Sequence, residues 1–160
     1  MADVARMYGR CVYSAFLKGI LWGEADNCKV ALLTGTYAPD QDLDNFFDDV
    51  SANEIASGDG YTSGGKSLTW DVETSPLVFV GSPDPGGKLE LRADDVIWAS
   101  LTASFQHAVI YYDTGTPSTS PLIGYIQYNT GTATPVEPTA QDFTIEWIDG
   151  VVASIDLTTT

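Results

Sequence analysis

Residues 107–128 read HAVIYYDTGTPSTSPLIGYIQY, two apolar runs separated by a loop rich in Thr, Ser and Pro. His107 to Tyr112 consists largely of β-branched and aromatic residues, which favour strands. Leu122 to Tyr128 has the same character. Gly115 to Pro121 carries the residue types that dominate turns and loops. The stretch therefore predicts two strands joined by a loop.

Similar short runs recur along the chain and are separated by turns rather than by helices. Lys88 to Arg92 alternates strictly between apolar and charged residues, and Asp149-Gly150 is the strongest hairpin signal in the sequence. The fold class predicted is mainly β (α+β), an antiparallel β-sandwich or barrel with one N-terminal helix. The other predicted strands are Lys29–Thr34, Ser67–Val72, Leu77–Val80, Val96–Trp98, Phe143–Trp147 and Val151–Leu157.

One long helix is predicted, over residues 3–21. Apolar residues recur there at steps of three and four, and Asp3 is placed to cap the first turn. Lys18 lies near the C-terminal end, where a cation interacts favourably with the helix dipole. Gly19 and Gly23 make an end to the helix plausible. The periodic apolar positions are Val4, Tyr8, Cys11, Val12, Ala15, Phe16 and Ile20.

Residues 35–66 form a long segment that is acidic and rich in glycine, and we call it the acidic loop. It contains no recognisable catalytic constellation, so we interpret it as a surface segment that positions other parts of the molecule. One helical turn is predicted over Leu43 to Phe47, with Phe46 and Phe47 pinning that turn to the core. Residues 67–157 are then the antiparallel strands, and all 160 residues form a single domain.

The net charge of −15, from 22 acidic and 7 basic residues, excludes several partners. Such a chain repels nucleic acid and anionic membrane surfaces. No apolar run approaches the roughly 18 residues of a membrane span, and Arg6, Arg10 and Lys18 break any signal-peptide pattern. These three bases lie together near the N-terminus, and they are the interface residues that we predict. A merely solvated basic face is the alternative interpretation.

The two cysteines, Cys11 and Cys28, are too few for a disulfide framework, and with one histidine they match no zinc pattern. We expect two buried thiols, and a bridge between them remains an alternative. The D-x-D-x-D run at Asp40, Asp42 and Asp44 resembles the start of an EF-hand loop, but Gly and Glu are missing at the required later positions. The prediction is an acidic loop whose Asp side chains cap local turns, with a calcium site of another kind left open.

No catalytic, cofactor or metal site is predicted. Asp94 and Asp95 are adjacent in sequence, so in a strand their carboxylates point to opposite faces. His107 opens an apolar strand and is predicted to be a core or edge residue, and no nucleophile elbow accompanies Ser104. The aromatic residues are predicted to pack in the core, and an exposed platform that binds glycans is the alternative. The glycines of residues 58–65 lack the flanking strand and helix of a phosphate-binding loop.

Seven stretches of the chain form an ordered series of motifs. They are KVALLT (29–34), YAPDQD (37–42), FDDVSANEI (47–55), GDGYTSGG (58–65), ADDVIW (93–98), AVIYYDTGTPSTSPLIGYI (108–126) and DFTIEW (142–147). In this order they resemble a family of small virion proteins of tailed phages. The similarity covers nearly the whole chain, and its specificity lies in the order of the motifs. It lapses at Gly81–Leu89 and Gly131–Thr139.

The resemblance implies a virion structural protein without enzymatic activity, assembled in the host cytoplasm. A capsid decoration or cement protein is the role we expect, with the major capsid protein or other virion proteins as partners and with homo-oligomers. A tail, head–tail adaptor or fibre component is the alternative role. A glycan-binding β-sandwich is a third possibility.

Overall fold

The computed structural model describes residues 4–8, 27–69, 77–80, 88–130 and 134–156. These ranges are mainly β, with antiparallel sheets and one four-residue helix, which confirms the predicted fold class. The strands are β1 (Val4–Met7), β2 (Cys28–Leu33), β3 (Lys66–Ser67), β4 (Leu77–Val80), β5 (Lys88–Arg92), β6 (Val96–Leu101), β7 (His107–Tyr112), β8 (Leu122–Gln127), β9 (Gln141–Ile145) and β10 (Val151–Asp156), and the helix is α1 (Phe47–Val50).

A five-stranded sheet in the order β1-β8-β7-β2-β3 forms the centre of the described molecule. The predicted pair of strands, β7 and β8, is its middle hairpin. Their register shifts between Ile110 and Tyr111, because Ile110 lies opposite Gly124 and Tyr111 lies opposite Leu122. Ile123 is therefore an extra residue, a β-bulge, which changes the face on which the following side chains lie. Two smaller sheets, β10-β5-β4 and β6-β9, complete the described strands.

The three inner strands of the central sheet, β8, β7 and β2, are buried on both faces. On one face, which we call the first core, Val30, Leu32, Ala108 and Ile110 pack with residues of β6 and β9 such as Trp98. The second core lies on the other face, and the acidic loop covers it. Its members are Tyr8, Ala31, Leu33, Tyr37, Phe47, Val50, Val109, Tyr111, Leu122 and Tyr125. The packing is thus layered, with the loop as the outer layer on one side.

The predicted N-terminal helix is wrong at its first described residues. Val4–Met7 is an edge strand that pairs with β8, and Arg6 is exposed while Tyr8 is buried. The strand is favoured over the helix that the weak periodicity predicts. It gains hydrogen bonds with β8 and buries Tyr8 in the second core. Gly124 permits this, since a Cβ there would lie 2.9 Å from the Arg6 carbonyl oxygen. The rest of the predicted helix falls on residues 9–26, outside the described ranges.

Two further local predictions need correction. The helical turn lies at α1, Phe47–Val50, one turn later than predicted; Phe47 is buried, Phe46 is half-buried and Leu43 is exposed. Asp149 and Gly150 do form a turn with positive φ angles, 55° and 72°. That turn is not a hairpin, because β9 pairs with β6 whereas β10 pairs with β5. It carries the chain from one sheet to another.

The remaining strand boundaries agree with the predictions except at their ends. β2, β4, β5, β7, β8 and β10 lie where strands are predicted, within a residue. β6 continues three residues beyond Trp98, and β9 begins at Gln141 and ends at Ile145. β3 is only two residues long, and the rest of the strand predicted at Ser67–Val72 is not a strand where the structure describes it.

Gly65 marks the closest approach between the acidic loop and β2. Its φ is +73°, and a Cβ atom there would lie 2.0 Å from the Val30 carbonyl oxygen. Backbone occupies the space that any side chain would need. The residue must therefore be glycine both for its left-handed conformation and for its contact with β2.

Replacing Gly65 with Ala is expected to lower the free energy of unfolding by roughly 3 kcal/mol or more, because the backbone of β2 would have to move. Gly115→Ala is the matched control, since Gly115 also has a positive φ, +82°, but no neighbouring atom within 4 Å. It should cost only the conformational strain, about 1 kcal/mol. Urea unfolding measures both variants, and equal losses would contradict the close approach.

Candidate functional site

The acidic loop holds its shape through its own aspartates. Oδ1 of Asp40 accepts hydrogen bonds from the backbone N–H groups of Asp42 and Leu43, each at 3.0 Å. Oδ2 of Asp49 accepts from the N–H groups of Asn45 and Phe46, at 2.8 and 2.9 Å. These bonds confirm the predicted capping of local turns. The same oxygens are thereby committed to backbone donors.

A chain of three side chains, which we call the tyrosine latch, ties the loop to the end of β1. The hydroxyls of Tyr8 and Tyr37 are 2.6 Å apart, and the Tyr37 hydroxyl donates to Oδ2 of Asp44 at 2.7 Å. Burial, as the largest cause, raises the pKa of both phenols, so they remain protonated hydrogen-bonding groups. Nearby, Nε2 of Gln41 donates to the Met7 carbonyl at 2.5 Å.

A second anchor, the Glu54 nest, fixes the later part of the loop. Oε1 of Glu54 accepts from the Tyr61 hydroxyl and from the Gly64 N–H, each at 2.6 Å. The Tyr61 hydroxyl also accepts from the Leu32 N–H of β2 at 3.1 Å. Burial raises the pKa of the Glu54 carboxyl, and the bonds from Tyr61, Gly64 and Gly65 oppose that shift. The glycine turn therefore surrounds a half-buried carboxyl group that belongs to the protein itself.

The residues considered for catalysis in the sequence make contacts that stabilise the fold. Asp95 accepts the backbone N–H of Trp147 at 2.9 Å, and Asp94 accepts from Thr69 at 3.3 Å. The Ser104 hydroxyl donates to Glu137 at 3.1 Å, whereas the His107 ring contacts the Thr34 carbonyl, so the structure does not bring these two residues together as nucleophile and base. His107 is buried, as predicted.

Of the predicted interface residues, the structure describes one. Arg6 is exposed on β1, while Arg10 and Lys18 lie outside the described ranges. Cys28 is buried, and Cys11 is likewise outside those ranges. The aromatic prediction is confirmed for Trp98, Trp147, Tyr111, Tyr125 and Tyr128, which are buried, whereas Tyr112 is half-buried and Trp70 lies outside the described ranges. They offer no exposed platform for a sugar ring.

Within the described ranges, no group of three or more His, Cys, Asp or Glu side chains is arranged to hold a metal ion. No helix in this part of the chain is long and apolar enough to cross a membrane. No protein-family model, curated protein or solved structure matches the sequence.

Sequence reasoning missed the two anchors of the loop, the tyrosine latch and the Glu54 nest. In the sequence, nothing distinguishes Tyr37 and Tyr61 from other tyrosines of a loop. Their partners become neighbours only when the loop lies on the central sheet. The sequence nevertheless contains a sign of the nest, because the N–H groups of two adjacent glycines can bind the carboxyl group of the single Glu in the same loop. Tyr8 falls at a helical spacing in the sequence, and that spacing conceals its contact with the loop.

Asp49→Ala is expected to lower the free energy of unfolding by about 1 kcal/mol, the usual effect of losing a cap. Asp48→Ala is the matched control, because Asp48 is an equally exposed aspartate of the same turn of α1, whereas the capping N–H groups bind Asp49. It should change stability by less than about 0.5 kcal/mol. Thermal and urea unfolding of both variants measures the difference, and equal effects would contradict the capping role.

Glu54 is expected to give a pH-dependent contribution to stability of definite sign. Because its pKa is raised in the folded state, the folded protein binds more protons than the unfolded chain above the ordinary Glu pKa. The contribution is therefore complete at low pH and is lost as the pH rises through the folded pKa. Unfolding free energies of the wild type and Glu54→Gln should diverge in this direction between about pH 4 and about pH 7. A difference that does not vary with pH would contradict the burial of the carboxyl.

Proposed function

We propose that this protein is a non-enzymatic structural component of a tailed-phage virion, and specifically a capsid decoration or cement protein. One observation carries the proposal: the motifs that resemble the small virion proteins are also the contacts that hold the fold together. Such a protein works through shape and surface, and it needs no reactive centre.

Several of the resembling motifs contribute residues to contacts between parts of the fold. YAPDQD contributes Tyr37 to the tyrosine latch and Asp40 to the capping of the loop. GDGYTSGG contributes Tyr61 and Gly64 to the Glu54 nest. ADDVIW and DFTIEW meet where Asp95 accepts the Trp147 N–H. In an enzyme family the motif residues would be expected to lie around one cleft. Here they lie in separate contacts between the loop, the strands and the turns.

The charge distribution suggests how such a subunit would bind. The net charge of −15 keeps unbound copies apart, because like charges repel. Arg6 is exposed on the edge strand β1, and with Arg10 and Lys18 it is the basic group that we propose contacts acidic loops of the major capsid protein. A stable contact of this kind buries roughly 1,200–2,000 Å² in total. Copies on a symmetric shell are expected to form cyclic homo-oligomers.

Purified virions of the parent phage are expected to contain this protein at on the order of hundreds of copies, since a decoration protein follows the symmetry of the shell. Quantitative mass spectrometry of intact particles measures the number. A dozen or fewer copies would instead favour the tail or adaptor role. Absence from the particle would overturn the virion proposal altogether.

Rebinding to stripped shells tests the proposed contact, with two single-charge variants at opposite edges of the central sheet. Arg6→Gln changes the β1 edge, and Lys66→Gln changes the exposed lysine at the β3 edge. We expect only Arg6→Gln to weaken binding in sedimentation. Equal binding by both variants would rule out Arg6 as part of the contact.

A further inference from the structure

The corner where the acidic loop leaves β2 contains the only histidine of the chain. His107, the first residue of β7, is 2% exposed and lies beneath the turn that begins at Thr34. Its Nδ1 atom is 3.5 Å from the Thr34 carbonyl oxygen. Its ring meets the Tyr37 ring edge to face, with the ring centres 5.3 Å apart. The histidine therefore packs against Tyr37, a member of the tyrosine latch.

The surroundings of the ring suit only its neutral form. A carbonyl oxygen can only accept, so the contact with Thr34 places the proton of the neutral ring on Nδ1. Nε2 is buried, and no described residue offers it a hydrogen bond. A second proton would put a positive charge and a new donor at a nitrogen without an acceptor. Burial accordingly lowers the pKa of His107, against a smaller opposing contribution from Thr34.

Few titratable groups face this corner. Tyr37 comes from the loop, Tyr8 from the end of β1, and Asp44 reaches it through its bond with the Tyr37 hydroxyl. The residue opposite His107 on β8 is the neutral Gln127. No charged side chain in the described ranges is in hydrogen-bond contact with His107. Among the described carboxylates, Asp44 is linked to the neighbouring Tyr37 by a hydrogen bond, and Glu54 lies opposite Leu33, the residue that pairs with His107.

We propose that protonation of His107 releases the early part of the acidic loop, residues 35–50, from the second core. The released segment carries Tyr37, Phe47 and Val50, all of which are buried on the central sheet. Their departure uncovers the apolar face that includes Leu33, Val109 and Tyr125. Mild acid thereby converts an acidic outer surface into an exposed apolar one.

The release stops at the Glu54 nest. Glu54 lies after α1, and its contacts run to Tyr61, Gly64 and β2 rather than to His107. The later loop consequently remains attached when the corner opens. This gives the experiment an internal reference, because residues 58–65 should not respond when residues 37–50 do.

The test follows one imidazole and one loop in the same full-length protein. Because the chain has a single histidine, its Hε1 resonance in NMR reports the protonation of His107 without ambiguity. Hydrogen exchange of residues 37–50, corrected for the intrinsic effect of pH, should accelerate about tenfold as the pH falls through the His107 titration, which lies below the ordinary histidine value of about 6.5. Its midpoint should coincide with that of the Hε1 titration.

His107→Gln, which cannot take up the proton, should abolish the acceleration, whereas Glu54→Gln should retain it. The proposal is overturned if His107 titrates while the loop exchange stays constant, or if His107→Gln opens with the same pH dependence as the wild type. Should His107→Gln fail to fold, agreement or disagreement between the two wild-type midpoints still decides the matter. Uniform acceleration that includes residues 58–65 would also overturn it, since that result indicates global unfolding.

Discussion

The three strands β2, β7 and β8 are buried on both faces, and the rest of the structure depends on this constraint. An antiparallel sheet commonly leaves one face to water, and its strands then alternate between apolar and polar residues. Here the run from Val30 to Leu33 is fully buried at every position. The chain must therefore supply a second cover in addition to β6 and β9. The acidic loop is that cover, and its composition follows from having one side on the sheet and one side in water.

The two sides of the loop differ in composition because one packs on the sheet and the other faces water. The side on the sheet is apolar and closely packed: the Phe47 ring stacks on Tyr111 with the ring centres 4.1 Å apart and the planes 9° apart. The other side is rich in aspartate, which by itself would favour an extended, solvated chain. The aspartates instead stabilise a compact loop. Their carboxylates accept hydrogen bonds from backbone N–H groups, and these bonds hold the tight turns between the buried apolar residues. The loop is thus folded by its charges as well as by its aromatic residues.

Local chemistry was enough to predict much of the β structure. KLELR and HAVIYY gave the bounds of β5 and β7, because their composition and flanking turns agree with the final state. The failures occurred where the deciding partner is distant in sequence. Val4–Met7 becomes a strand because Gly124 leaves room for it on β8. Asp149-Gly150 has the chemistry of a hairpin turn, but only the sheet assignment of β9 and β10 shows that they are not neighbours.

The same limit applies to the candidate site. That the aspartates cap turns could be predicted, since capping is local. The Tyr8–Tyr37 contact could not, since its partners are 29 residues apart, and the Glu54–Gly64 contact is indicated in the sequence only by the pair of glycines. In the folded structure, protonation also has opposite effects on stability at the two attachments of the loop. The Glu54 end holds a group whose protonation favours the folded state, and the His107 end holds one whose protonation opposes it. Acid thus weakens one attachment while it strengthens the other, and a cover fixed in this way opens from the end near β1.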